Sequence, residues 1–108
     1  MITVKSYFDF KKAYNKKNSY GNRHLVLYIR KNNSSFGRVG FTVSKKVGKA
    51  VVRNRIRRRL KELYRQAEPS IPEGYDLIFV AKKNVGEISF KELKSAFFHI
   101  LKISGMKK

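Results

Sequence analysis

Arg53, Arg55, Arg57, Arg58, Arg59, Lys61 and Arg65 crowd one short stretch of this chain, with Glu62 as their sole opposing charge. Like charges at i, i+4 on a helix each cost about 0.2–0.5 kcal/mol, so something outside the segment must offset the repulsion. A run of charge is often only a solvated face; a run this dense points instead to an interaction surface. Other chemistries are excluded by residue type and spacing. Gly48-Lys49 resembles the end of a phosphate-binding loop, but Ala50 stands where Ser or Thr is required and Val43 where the first glycine belongs. Gly48 reads as a turn into a helix, whose free N–H groups remain open to a backbone phosphate. His24 and His99 are the only histidines and lie on separate elements, which favours structural roles. Asp9, Glu62, Glu68, Glu73, Asp76, Glu87 and Glu92 are scattered without the paired spacing of acid–base or metal chemistry. Neither catalytic residues nor metal ligands are expected on the protein.

These cations need a scaffold, and the same segment supplies part of it. At 100° per residue Val52, Ile56, Leu60 and Leu63 share one stripe, so the basic helix, read from Lys45 to Arg65, has a face to bury. Ser6 with Asp9 resembles a capping box, starting a short helix to about Lys16 with Tyr7, Phe10 and Tyr14 on one face. His24 to Arg30 alternates as a strand, with Leu25, Leu27 and Ile29 on one side. Arg38 to Ser44 repeats the pattern through Val39, Phe41 and Val43. The connection from Lys31 to Gly37 is long for a tight hairpin, yet holds the Asn, Ser and Gly that turns use. Pro69 and Pro72 stop the basic helix, and Tyr75 to Ala81 is an apolar, β-favouring third strand. Ser89 with Glu92 caps a final amphipathic helix whose apolar positions are Phe90, Leu93, Phe97, Ile100 and Leu101. The expected fold is α+β, a small α/β sandwich in the order helix-strand-strand-helix-strand-helix. Residues 1–108 form one domain. The general rule makes the crossover through the basic helix right-handed.

Lys and Arg number 26 against 7 Asp and Glu, a formal charge of +19, which points to a polyanionic partner. Cysteine is absent, which excludes disulfides and thiolate metal sites and suits a reducing compartment, with the cytoplasm expected. No apolar run approaches the roughly 20 residues of a membrane span, and the N-terminus lacks a signal peptide's pattern. Phe10, Tyr14 and Tyr28 are not needed for the strands' aliphatic face. They could line a groove that stacks unpaired bases, rimmed by Lys45, Lys46, Lys82 and Lys83. The alternative is that these rings only bury the first helix on the sheet.

Arg53-Asn54-Arg55, set in VSKKVGKAVVRNRIRRRLKE, resembles the signature of the bacterial ribonuclease P protein family. The similarity extends through Asp9-Phe10 with Tyr14, the LVLY of Leu25 to Tyr28, and the LIFVAKK of Leu77 to Lys83, covering nearly the whole chain. It implies a left-handed βαβ crossover, against the general rule, and an extra short strand, for which Ser19 to Arg23 is available. The implied function is that of an accessory subunit of a ribozyme that removes the 5′ leader of precursor tRNA by phosphodiester hydrolysis, the RNA carrying the catalysis. The resemblance places Lys49, Arg53, Asn54, Arg55, Arg57 and Arg58 against the catalytic RNA. It sends the leader over Phe10, Tyr14 and Tyr28, flanked by Lys45, Lys46 and Lys82. Mg²⁺, bound chiefly by RNA, is the implied cofactor; ribonuclease P RNA and precursor tRNA are the implied partners, with no obligate protein partner. One departure stands out: Thr3-Val4 replaces an Arg-Leu pair common in the family. Two other classes compete: a general RNA-binding or ribosomal-type protein without a ribozyme partner, and a binder of anionic membranes. The membrane reading ranks last, because Val52, Ile56, Leu60 and Leu63 are better used against a sheet.

Overall fold

The computed structural model describes residues 1–4 and 18–107. The expected first helix, with Phe10 and Tyr14, lies outside the described residues.

Five strands make one sheet: β1 Ile2–Thr3, β2 Ser19–Gly21, β3 Leu25–Lys31, β4 Arg38–Thr42 and β5 Tyr75–Ala81, in spatial order β1-β4-β5-β3-β2. β5 is central. It pairs antiparallel with β3 from Leu25↔Ala81 to Lys31↔Tyr75, and parallel with β4 from Arg38↔Asp76 to Thr42↔Val80. The consecutive strands β3 and β4 therefore flank β5 and are not paired, and the 32–37 segment must span a strand's width. Asn32 holds that segment: its Oδ1 accepts from the Ser34 N–H at 3.0 Å, and its Nδ2 donates to the Phe36 carbonyl at 3.1 Å. β2 is the extra short strand, lying within Ser19 to Arg23 and antiparallel to β3. β1 has no counterpart in the sequence reading. It runs parallel to β4 and continues as the Val4 N–H donates to the Val39 carbonyl at 2.8 Å. The Thr3-Val4 departure thus sits in an edge strand, with Val4 buried.

The crossover helix α1 (Ala50–Ala67) links the parallel strands β4 and β5, and α2 (Phe90–Ile103) follows β5. Alternation in the strands sends Leu25, Leu27, Ile29, Val39, Leu77 and Phe79 to one face of the sheet. There they meet Ile56, Leu60 and Leu63 of α1 and Leu93, Phe97, Ile100 and Leu101 of α2. Val52 packs at the margin. Each fully buried Leu, Ile or Phe contributes about 1.5–3 kcal/mol of transfer free energy, which fixes α1's docked face and leaves its cations outward.

Where the basic helix begins, two boundaries differ from the sequence reading. Lys45–Val47 is a separate 3-10 turn, and α1 begins only at Ala50, where the carbonyl of extended Lys49 accepts the Arg53 N–H at 2.9 Å. β4 ends at Thr42, and the next carbonyl, that of Val43, accepts from Arg57 at 3.2 Å. The expected cap of α2 is present: the Ser89 hydroxyl accepts from the Glu92 N–H at 3.1 Å.

Candidate nucleic-acid interface

Docking α1 by Ile56, Leu60 and Leu63 leaves Lys49, Asn54 and Arg58 exposed and Arg53, Arg55, Arg57 and Arg59 half-buried at the margins. Their guanidinium groups are not equivalent. Arg57 donates to the Val43 carbonyl and to Asn54 Oδ1, both at 3.2 Å, so it ties α1 to the segment leaving β4. Arg65 pairs with Glu62 at 3.2 Å. Arg53, Arg55 and Arg58 have no protein acceptor among the described residues, and the buried Nε of Arg55 is without a partner.

A second group of cations collects at one end of the sheet. β4 and β5 are parallel and β3 runs against them, so the turns after β4 and β5 and the start of β3 share that end. Lys45 and Lys46 are exposed on the turn after β4, and Lys82 is exposed just past β5. The Lys82 N–H donates to the His24 carbonyl at 2.9 Å, and its ammonium donates to the Asn22 carbonyl. The turns 45–47 and 83–87 pack through buried Val47 and Val85. Close approach at Gly86 permits this, since a Cβ there would stand 2.6 Å from the Val47 carbonyl oxygen.

Tyr28 is half-buried on the sheet face turned away from α1 and α2, beside Val4, Ile78 and Val80. Of the three rings expected to line the leader cleft, Tyr28 alone falls within the described residues; Phe10 and Tyr14 lie outside them. On the same face, buried Asp76 accepts from Arg38 at 2.9 and 2.6 Å and from Asn32 at 2.9 Å. Burial alone would raise its carboxyl, but hydrogen bonds from Arg38 and Asn32 and the charges of Arg38 and Arg30 outweigh that and hold it below the usual carboxylate range. Burial, with Glu68 nearby, pushes the Tyr64 phenol up to about 12.

The two histidines, on separate elements, line one pocket with Asn22 and Glu92, and His24 Nε2 lies 3.9 Å from Glu92 Oε2. His24 Nδ1 lies 2.9 Å from Asn84 Nδ2, and His99 Nδ1 lies 3.2 Å from Asn22 Nδ2. Asn22 caps the β2–β3 turn, its Oδ1 accepting from the N–H groups of His24 and Leu25.

Sequence reasoning missed one cluster. Phe90, expected among the apolar positions of the last helix, is 36% exposed and lies under Arg59, whose guanidinium carbon is 5.6 Å from the ring centroid. The local signal was the i, i+3, i+4 spacing of Arg55, Arg58 and Arg59, which sets all three on one side of α1; nothing local could bring in Phe90.

A five-stranded α+β domain with a basic crossover helix and a lysine-rich sheet end defines a nucleic-acid-binding protein. A family model described as Ribonuclease P matches residues 2–104. The ribonuclease P protein component of Alkaliphilus oremlandii is 50% identical over 94 residues, covering 87% of this chain and 82% of that one. That of Clostridioides difficile is 44% identical over 95 residues, covering 87% and 83%. The solved RNase P protein of Staphylococcus aureus superposes with a TM-score of 0.91 at 31% identity, covering 100% of this chain and 99% of that one. The RNase P protein from Thermotoga maritima does so at 0.84 and 26%, covering 95% and 97%.

The chain belongs to the ribonuclease P protein family. It is the protein subunit of that endoribonuclease, an accessory subunit whose partner is ribonuclease P RNA. No described helix is long and apolar enough to cross a membrane.

Proposed function

We propose that Lys49, Arg53, Asn54, Arg55, Arg57 and Arg58 bind the catalytic RNA, and that the 5′ leader of precursor tRNA passes over Tyr28 with Phe10 and Tyr14, flanked by Lys45, Lys46 and Lys82. The observation that carries this reading is the set of α1 guanidiniums with no protein acceptor among the described residues, on a helix whose opposite face is fixed in the core. Guanidinium forks match phosphate oxygens bidentately, and phosphates relieve the crowding that the protein leaves unbalanced. The helix and the sheet end are joined by the short 45–49 segment, so a bound RNA and a single strand crossing the sheet would be held side by side.

Among the described residues no three His, Asp or Glu gather to hold a metal, and the α1 donors are cationic, so these residues do not fit a Mg²⁺ site. The ion required for hydrolysis is assigned chiefly to the RNA. The chain's part is to hold RNA and leader and to screen phosphate repulsion, which lowers the Mg²⁺ concentration the RNA needs. The lack of cysteine suits work in the cytoplasm.

The test is cleavage of precursor tRNA at low Mg²⁺ by purified protein with a bacterial ribonuclease P RNA, against each alone. Cleavage at the mature 5′ end in the mixture alone supports the reading. Cleavage no better than with a well-matched RNA by itself would replace it with general RNA binding, and cleavage by protein alone would mean an active site on the chain.

A further inference from the structure

A notch of about 280 Å³ lies between α1 and the first turn of α2, lined by Arg55, Arg58, Arg59, Glu62 and Phe90. Its chemistry is mixed in a particular way. Arg55 and Arg58 bring guanidiniums that no protein acceptor takes among the described residues, and the Arg55 Nε is buried without a partner. Phe90 brings an aromatic ring that is 36% exposed and excluded from the core on which Leu93, Phe97, Ile100 and Leu101 of α2 close. Arg59 stands over that ring. Glu62, the one acid, is drawn to Arg65 at 3.2 Å, which moderates its repulsion of an incoming anion.

A ligand that satisfies all of this carries a phosphate and an open π-face within a few ångströms of each other. A nucleotide does. A base inside a duplex has both faces covered by its neighbours, so only an unpaired one can present a face to Phe90 and Arg59. An acidic peptide would meet the arginines but leave the ring unused. We propose that this notch receives one unpaired nucleotide of ribonuclease P RNA, its phosphate on Arg55 and Arg58 and its base stacked against Phe90 and the Arg59 guanidinium. The inference rests on the proposal that α1 faces the catalytic RNA, and it extends that surface onto α2.

The chain has no tryptophan, so Phe90→Trp gives a single-tryptophan full-length protein. Titrated with ribonuclease P RNA, its emission is expected to be quenched by base stacking, whereas precursor tRNA alone should leave it unchanged. In a parallel mobility-shift titration Phe90→Leu, which keeps apolar bulk but has no π-face, should bind that RNA about 5- to 150-fold more weakly than the parent. Its salt slope should be unchanged, since no charge is lost. Far-UV circular dichroism confirms that both variants fold. Arg53→Ala, outside the notch, is titrated alongside. If Phe90→Leu binds as tightly as the parent and Phe90→Trp emission stays constant at saturation, while Arg53→Ala is weakened, the notch assignment is wrong and the α1 interface stands. If Arg53→Ala also binds as tightly as the parent, the interface itself is wrong and the notch falls with it. Quenching by precursor tRNA alone would overturn the assignment to the catalytic RNA.

Discussion

Arg57→Ala and Arg58→Ala, adjacent changes of the same residue type, should fail in different ways. Six cations on α1 and at its N-cap have no protein acceptor among the described residues: Lys49, Arg53, Arg55, Arg58, Arg59 and Lys61. If each neutralises one phosphate, the log–log salt slope of RNA affinity is about −5, and affinity falls about three orders of magnitude between 50 and 200 mM salt. Arg58→Ala removes one such contact. The slope should shrink by about 0.9, binding at 0.1 M salt should weaken about 8-fold, and thermal stability should stay as in the parent. Arg57 is already engaged with the Val43 carbonyl and Asn54. Its loss breaks a charge-assisted bond at a half-exposed site, which after solvent screening is about 1 kcal/mol, or roughly 4–8 °C in Tm. Its slope change should be smaller than that of Arg58→Ala, because part of its donor capacity already serves the fold. The assays are filter binding at five salt concentrations and melting by circular dichroism. An unchanged slope for Arg58→Ala would refute the phosphate role. A full-unit slope change for Arg57→Ala with no loss of Tm would refute the division into anchoring and free guanidiniums.

Other consequences follow from the fold. Arg38→Ala should cost about 2–4 kcal/mol in urea unfolding at pH 7, since it leaves buried Asp76 with the Asn32 amide as its side-chain donor among the described residues. Asp76's folded carboxyl is held low, so the pair stabilises fully above the unfolded value near ~4 and is lost as pH falls through the folded value; the gap between variant and parent should therefore close in strong acid, and a constant gap would count against the pair. Tyr64 has the opposite sign: its contribution is complete below 10.0 and is lost as pH rises toward about 12, so Tyr64→Phe should flatten the alkaline limb of stability against pH. Gly86→Ala would place a Cβ 2.6 Å from the Val47 carbonyl oxygen, so it should separate the two turns at the sheet end, lowering Tm and weakening RNA binding together; a stable, tightly binding variant would show that the turns need not touch.

The sequence made legible whatever repeats within one element. The period-2 alternation of β3 and the 3.6-period stripe of α1 predicted which side chains face the core, and Leu25, Leu27, Ile29, Ile56, Leu60 and Leu63 are buried there. The cap at Ser89 was legible because its partner is three residues away. What depends on distant pairing was not. Nothing near β3 or β4 says that β5 inserts between them, since that follows from the crossover of α1 and the pairing of residues 38 to 56 apart in sequence. β1, two residues long, has too few positions to show a period. The same limit governs the site. Charge density exposed the arginine helix, but which arginines are free and which are anchors depends on acceptors such as the Val43 carbonyl, visible only after folding.

That distinction explains how a chain with 26 cations and 7 acids holds one structure. Asp76, one of those acids, is wholly buried at the junction of β3, β4 and β5, where Arg38 and Asn32 converge on it. Glu62 takes Arg65 at the surface, and Arg57 uses a neutral carbonyl in place of an acid. Each of these contacts fixes a junction: three strands, a helical turn, or a helix against a strand end. Among the described residues the remaining α1 cations receive no such partner, although the acids Glu68, Glu73, Glu87 and Glu92 are present elsewhere in the chain. Their mutual repulsion is therefore a standing cost of the free protein, borne by the aliphatic face of α1 and removed when phosphates arrive. The free energy that relieves this repulsion appears as RNA affinity, so neutralising a free arginine should weaken binding while leaving the free domain as stable or more so. Neutralising an anchoring arginine such as Arg57 should instead cost stability and weaken binding less, and that difference in balance separates the cations that mainly bind from those that also fold.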